Sequence, residues 1–240
     1  MDALETAIAT APAVSTVGSH FMLDGATYAK GAELGFSGLD FYIAGRGGVL
    51  GDVDADVVSA AFCFFEPGHV RTQWELGTKV MPAAKAADAF MDCCHAWGES
   101  KVPDDLDAAR LAELAGAVIA GARPACASVF AGVRALPVPS SPKAAAVHQL
   151  NVLRELRMGL HGAAVVASGL TPVQALCVKT PAMAPLFGWS EVPDVAGLQP
   201  AWDGAEVATN IAIAHAYEGL SDADRDELAA LAGALHAATS

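Results

Sequence analysis

Helix-start signals recur along the whole length of this chain, and they constrain its fold more than any other feature. A helix leaves its first backbone N–H groups unpartnered; Asp, Ser or Thr at the boundary supplies an acceptor, and Pro fits the first turn. Asp24 precedes an amphipathic stretch reaching Leu34, and Asp54 or Asp56 opens the run 57–65. Glu66-Pro67 opens a helix through Trp74 and Leu76, and longer helices are expected at about 83–97 and 105–120. The segment 122–142, with four prolines and Ser140-Ser141, reads as a connector. Beyond it Ser141-Pro142 opens a helix running past Arg157, Thr171-Pro172 and Thr180-Pro181 open two short ones, and Asp203-Gly204 leads into 205–217. Ser221 caps the last helix, 222–237, whose early turns are acidic. The expected fold class is all-α.

The pattern also restarts. His95-Ala96-Trp97 followed by Leu111-Ala112-Glu113-Leu114-Ala115-Gly116-Ala117 matches His215-Ala216-Tyr217 followed by Leu228-Ala229-Ala230-Leu231-Ala232-Gly233-Ala234. Gly47 aligns with Gly162, Val58 with Val173, Ala60 with Ala175 and Trp74 with Trp189, at an offset near 115 to 120 residues. This predicts two tandem homologous helical units, 24–120 and 141–238, joined by a connector at 121–140 and packed about a pseudo-two-fold axis. The seam between two such units is a natural place for a ligand pocket.

The runs Gly38-Leu-Asp-Phe-Tyr-Ile-Ala-Gly-Arg-Gly-Gly-Val-Leu-Gly-Asp52 and Leu153-Arg-Glu-Leu-Arg-Met-Gly-Leu-His-Gly162 resemble an actinobacterial family of helical proteins labelled EvbL-like or simply helix-turn-helix. The resemblance implies a duplicated fold of helix-turn-helix-like units and brings no activity with it. Where that family often reads Arg-Gly-Asp-Gly-His, this chain has Arg157-Met158-Gly159-Leu160-His161, so the Arg and His stay and the acid is lost.

Charge and hydropathy narrow the function classes. Hydrophobic residues make up 53% of the chain and charged ones 17%, so a membrane segment must be tested. A spanning helix needs about 20 consecutive apolar residues; the longest candidate, 114–133, is interrupted by Arg123-Pro124. The acidic start Met1-Asp2-Ala3-Leu4-Glu5 has no basic leader character, and five cysteines make an odd count without a disulfide-like spacing. Together these predict a cytoplasmic protein without a membrane partner. With 14 basic residues against 27 acidic ones, the net charge is −13 and no basic run occurs. A phosphate-binding surface needs clustered Lys and Arg, so nucleic acid is not expected as a partner. Alanine-rich helices make a homodimer plausible.

Candidate site residues come from polar groups that interrupt the apolar background. Asn151, Arg154, Arg157 and His161 fall at spacings of three and four, on one helix face. Arginine forks there could hold a carboxylate or phosphate, with His161 as donor or base, although a solvated face with Arg154 and Glu155 paired at the surface fits the same spacing. In the first unit, Gly45-Arg46-Gly47-Gly48 puts Arg46 where the second has His161. Facing units would bring Arg46 and His161 together near the axis, with Tyr42 and Arg157 one turn away. Arg46 could equally end a helix, with the glycines forming a turn.

His95 and His215 form a weaker symmetric pair that could meet across the axis on a metal or haem iron; buried core histidines are the simpler reading. Cys93-Cys94-His95 lacks zinc-site spacing, and Asp52, Asp54 and Asp56 read as helix starts rather than a calcium loop. No nucleophile elbow, phosphate loop or dinucleotide fingerprint occurs, and no cofactor is specified. The function expected is a small-molecule-binding protein. Arg46, Arg154, Arg157 and His161 would meet the anionic end of a largely apolar ligand, and Phe41, Tyr42, Phe62 and Trp189 would line the rest. An enzyme using His161 as general acid/base is one alternative, and a transcription regulator is another that the charge disfavours.

Overall fold

The computed structural model describes all 240 residues, and they form helices without a strand. The twelve α-helices are α1 (Ala3–Thr16), α2 (Gly25–Glu33), α3 (Leu39–Gly47), α4 (Ala55–Ala61), α5 (Pro67–Val80) and α6 (Ala83–Lys101), then α7 (Ala108–Gly121), α8 (Ser128–Val133), α9 (Pro142–Ala167), α10 (Pro172–Lys179), α11 (Gln199–Ala214) and α12 (Asp222–Thr239). Short 3-10 turns at Val17–Leu23, Gly48–Leu50, Pro181–Met183 and His215–Tyr217 link them.

The expected caps set many of the starts. Asp24 accepts from Ala26 N–H, Asp54 from Asp56 N–H, and Glu66 from the amides of Gly68 and His69. Thr171 and Gln174 form a reciprocal capping box behind Pro172, and Ser221 accepts from Asp224 N–H. Three expectations are corrected. Ser141 precedes α9 but makes no side-chain cap bond. Thr180-Pro181 opens a single 3-10 turn rather than a helix, and α11 starts at Gln199, ahead of Asp203. Helix α1 was not expected; Asp2 and Glu5 form its capping box.

Helix α9 is the axis of the molecule. Its 26 residues span about 39 Å at 1.5 Å each, and it packs against α6, α7, α8 and α11. Between Ala144 and Arg157 nearly every residue is buried, whichever way it points. A helix buried on every side must be surrounded, and its buried polar side chains, His148, Asn151, Glu155 and Arg157, must find partners there. One cluster of 47 buried residues runs from Ala7 to Leu235. It draws on both sides of the expected connector: α1 packs on α11 and α12, and α6 and α7 pack on α9. Within 121–140, α8 also packs on α9. No single helix is long and apolar enough to cross a membrane.

The 3-10 turn after α3 sits hard against the start of α6. A Cβ on Gly48 would collide with the Ala83 carbonyl oxygen and touch Ala87, so only glycine lets the two backbones approach this closely. Gly48→Ala should therefore cost about 3 kcal/mol, the upper end for overpacking a core. Circular dichroism melting would read this as a fall of roughly 6–12 °C for a chain of this size.

Candidate functional site

The structure separates the residues that the sequence placed around one seam. Arg46, at the end of α3, is buried, and its guanidinium lies 4.2 Å over the Phe62 ring. Its Nε and Nη2 donate to the two carboxylate oxygens of Glu155 at 2.8 and 2.7 Å, a bidentate pair. Arg154 Nη1 donates to the same carboxylate at 2.6 Å. Glu155 is 2% exposed, so its expected surface pairing with Arg154 is corrected to a buried triad. Burial alone would raise the Glu155 carboxyl, but Arg46 and Arg154 overcome this and hold it below its ordinary range. Arg46 is thus neutralised from within the chain. It borders an open groove of about 1010 Å³ between α4, α8 and the C-terminal half of α9, whose walls include Val57, Ala163, Val166 and Ala167.

His161 and Arg157 face a different cavity. It measures about 640 Å³ and is walled by α1, α9, α10 and α11, with Phe64, Phe187 and Trp202 among its lining. The expectation that Arg46 and His161 meet is corrected: Met158 borders both spaces, and the two residues open into separate ones. The reason lies in helix geometry. Residues 155 and 157 project about 200° apart on α9, so the Glu155 partner of Arg46 and the Arg157 side chain point to different faces.

Four polar residues of the 640 Å³ cavity, Arg157, His161, Glu206 and Asn210, form one connected set with the buried Thr209 behind them. Arg157 Nη1 donates to Asn210 Oδ1 at 2.8 Å, and its Nη2 donates to Glu206 Oε2 at 2.7 Å. His161 Nδ1 lies 3.0 Å from Thr209 Oγ1 and 3.2 Å from Glu206 Oε1. The imidazole stacks on Phe64, centroids 5.6 Å apart, and meets Trp202 edge-on at 6.3 Å. Burial pushes the His161 pKa below its ordinary range, with Glu206 opposing and Arg157 assisting, so the ring is neutral at pH 7. Lys179 ends α10 at the mouth, its Nζ 5.1 Å over the Trp202 ring. The carboxylate partner that the sequence did not offer His161 is Glu206.

Glu206, Thr209, Asn210 and Lys179 went unrecognised in the sequence. A signal existed: Glu206, Thr209 and Asn210 fall at spacings of three and four on α11, a polar face on an otherwise alanine-rich helix.

The other expected residues lie elsewhere. Phe41 packs into the core against Phe36 and Phe90, and Tyr42 against Phe62, Phe65 and Phe90. Tyr42 and Arg154 border only smaller hollows of about 40 and 190 Å³. Trp189 donates its Nε1–H to the Phe64 carbonyl at 2.8 Å and packs with Leu176, Cys177 and Ala184, outside the cavity lining. His95 and His215 do not meet. His95 Nε2 instead lies 3.1 Å from His148 Nδ1, while His215 Nδ1 is 2.7 Å from the Ala212 carbonyl oxygen and its Nε2 accepts from Arg123 N–H.

No curated protein matches this chain, and no solved structure does. One family model does match. Described as a helix-turn-helix family, it covers residues 7–205, from α1 into the first half of α11, and ends just before the cavity residues Glu206 and Asn210. By that match this chain belongs to the helix-turn-helix family.

Proposed function

We propose that this is a cytosolic small-molecule-binding protein whose ligand enters the cavity between α1, α9, α10 and α11. The observation that carries the reading is an aromatic-lined space in which a connected polar set converges while one cation, Lys179, has no ion-pair partner. Mostly apolar walls with a few placed polar groups are what small-molecule sites are made of. The larger groove beside Arg46 fits less well, because its one arginine is already held by Glu155. Five free cysteines support a reducing compartment.

Titration with 8-anilinonaphthalene-1-sulfonate, an aromatic anion that brightens out of water, tests this reading. Fluorescence should saturate near one equivalent per chain. Ala11→Trp, which fills the α1 wall, should weaken binding at least about tenfold, the equivalent of roughly 1.4 kcal/mol. Enhancement that ignores the filled cavity would refute the site.

Family membership favours a second reading, a transcription regulator. Against it stand the net charge of −13 and the commitment of nine of the fourteen basic side chains to carboxylates of the same chain. Lys79, Lys101, Arg123, Arg134 and Lys179 remain, dispersed along the sequence. Gel shifts with duplex DNA should show no specific retardation. Tight binding that collapses as salt is raised would favour the regulator instead.

A further inference from the structure

Two groups beside Trp202 are placed to meet a ligand, an acceptor on His161 and the cation of Lys179. Thr209 Oγ1 donates its only proton to the Ala205 carbonyl at 2.7 Å. Toward His161 Nδ1, 3.0 Å away, it can then only accept. That fixes the tautomer: the proton sits on Nδ1 and the lone pair on Nε2. Glu206 Oε1, on the same side of the ring, favours the same arrangement. His161 Nε2 has no protein partner and is not sealed from the cavity.

The anion-receiving role moves as well. Arg157 holds Asn210 and Glu206 with two of its nitrogens, which makes it a positioning residue. Lys179 is exposed at the mouth, close to the Trp202 ring and in no ion pair. Trp202 neighbours both polar points and Phe64 stacks on His161, aromatic surfaces suited to another aromatic group.

From this we infer the ligand class: an aromatic carboxylate that also carries a hydroxyl. The hydroxyl donates to His161 Nε2, the carboxylate pairs with Lys179, and the ring lies against Trp202 and Phe64. A single lone pair takes a single donor, and a phenolic O–H is a stronger one than a neutral N–H. This inference rests on the ligand-site reading above and specifies it.

Titration calorimetry with 6-hydroxy-2-naphthoate and 2-naphthoate, two acids that differ by the hydroxyl alone, is the test. The hydroxy acid should bind about tenfold more tightly, as one well-made hydrogen bond allows. His161→Phe, which keeps the stacking on Phe64, should bring the ratio to about one, and Lys179→Met should weaken both acids. Equal affinities in the wild-type chain, or a preference that survives His161→Phe, overturn the inference while leaving the ligand site standing. If neither acid binds the folded wild-type chain, the inferred ligand class falls, and the site itself stands or falls on the dye titration. The wild-type comparison needs no variant to fold.

Discussion

Glu155→Leu lowers the unfolding free energy by about 3–5 kcal/mol, the range expected when one partner of a buried ion pair is removed. Arg46 is buried, with only an edge on the groove, and the Glu155 carboxylate is its only charged partner. The substitution leaves a buried guanidinium with only the face of Phe62 against its lost hydration. Arg46→Ala costs less, about 3 kcal/mol, because Arg154 still donates to Glu155. The double variant Arg46→Met/Glu155→Leu recovers most of the loss, since well-packed apolar side chains commonly replace such pairs at little cost. Urea unfolding of the wild type, Arg46→Met, Glu155→Leu and the double variant closes a double-mutant cycle. A small effect of Glu155→Leu alone would show that the pair is not buried as described. An Arg46 that met a ligand would leave the melting temperature nearly intact on truncation to Ala and weaken binding instead; the Glu155 pairing reverses that expectation.

The second large effect is a loss of stability in mild acid. His148 is 1% exposed on α9, with its Nδ1 beside His95 Nε2. Burial, assisted by His95, pushes its pKa down to about 4 from an ordinary 6.5. The depressed folded pKa means that the unfolded chain takes up the proton first. The contribution is therefore complete above about pH 6.5 and drains away as pH falls toward 4. A difference of about 2.5 units corresponds to about 3 kcal/mol lost between pH 7 and pH 4, at 1.36 kcal/mol per unit. His148→Gln can keep the hydrogen bond to His95 without titrating. Urea unfolding at both pH values should give a drop about 3 kcal/mol smaller for the variant; equal drops would mean that His148 titrates normally in the folded chain.

Helix content is legible in the sequence because capping is local: Asp24, Asp54, Thr171 and Ser221 each bond an amide two or three residues on. Less local features are not. Pro181 is as good a first-turn residue as Pro172, yet it opens only a single 3-10 turn, and the chain then bends so that Phe187 stacks on Phe65. The face carrying Arg157 and His161 stands out as polar in the sequence, and the two do share a cavity. The bonding partners of those side chains are not legible. Glu206 lies 49 residues from Arg157, and Glu155 lies 109 residues from Arg46; no periodicity encodes such separations. One clue is present all the same. Glu155 has Val152 and Met158 about one turn away on either side, so its strip of the helix is largely apolar and an acid there calls for a partner. The aligned motifs His95-Ala-Trp and His215-Ala-Tyr likewise share residues without sharing surroundings, because each histidine takes its partner from whichever segment packs beside it.

The most direct test of the central claim is a crystal structure of the chain soaked with 8-anilinonaphthalene-1-sulfonate. Two spaces of unequal size compete for it, about 640 Å³ at His161 and about 1010 Å³ beside Arg46. If aromatic walls and an unpaired cation decide, the naphthalene ring lies against Trp202 and Phe64 with its sulfonate toward Lys179. Density for the probe in the larger groove alone, with the His161 cavity empty, would contradict the account.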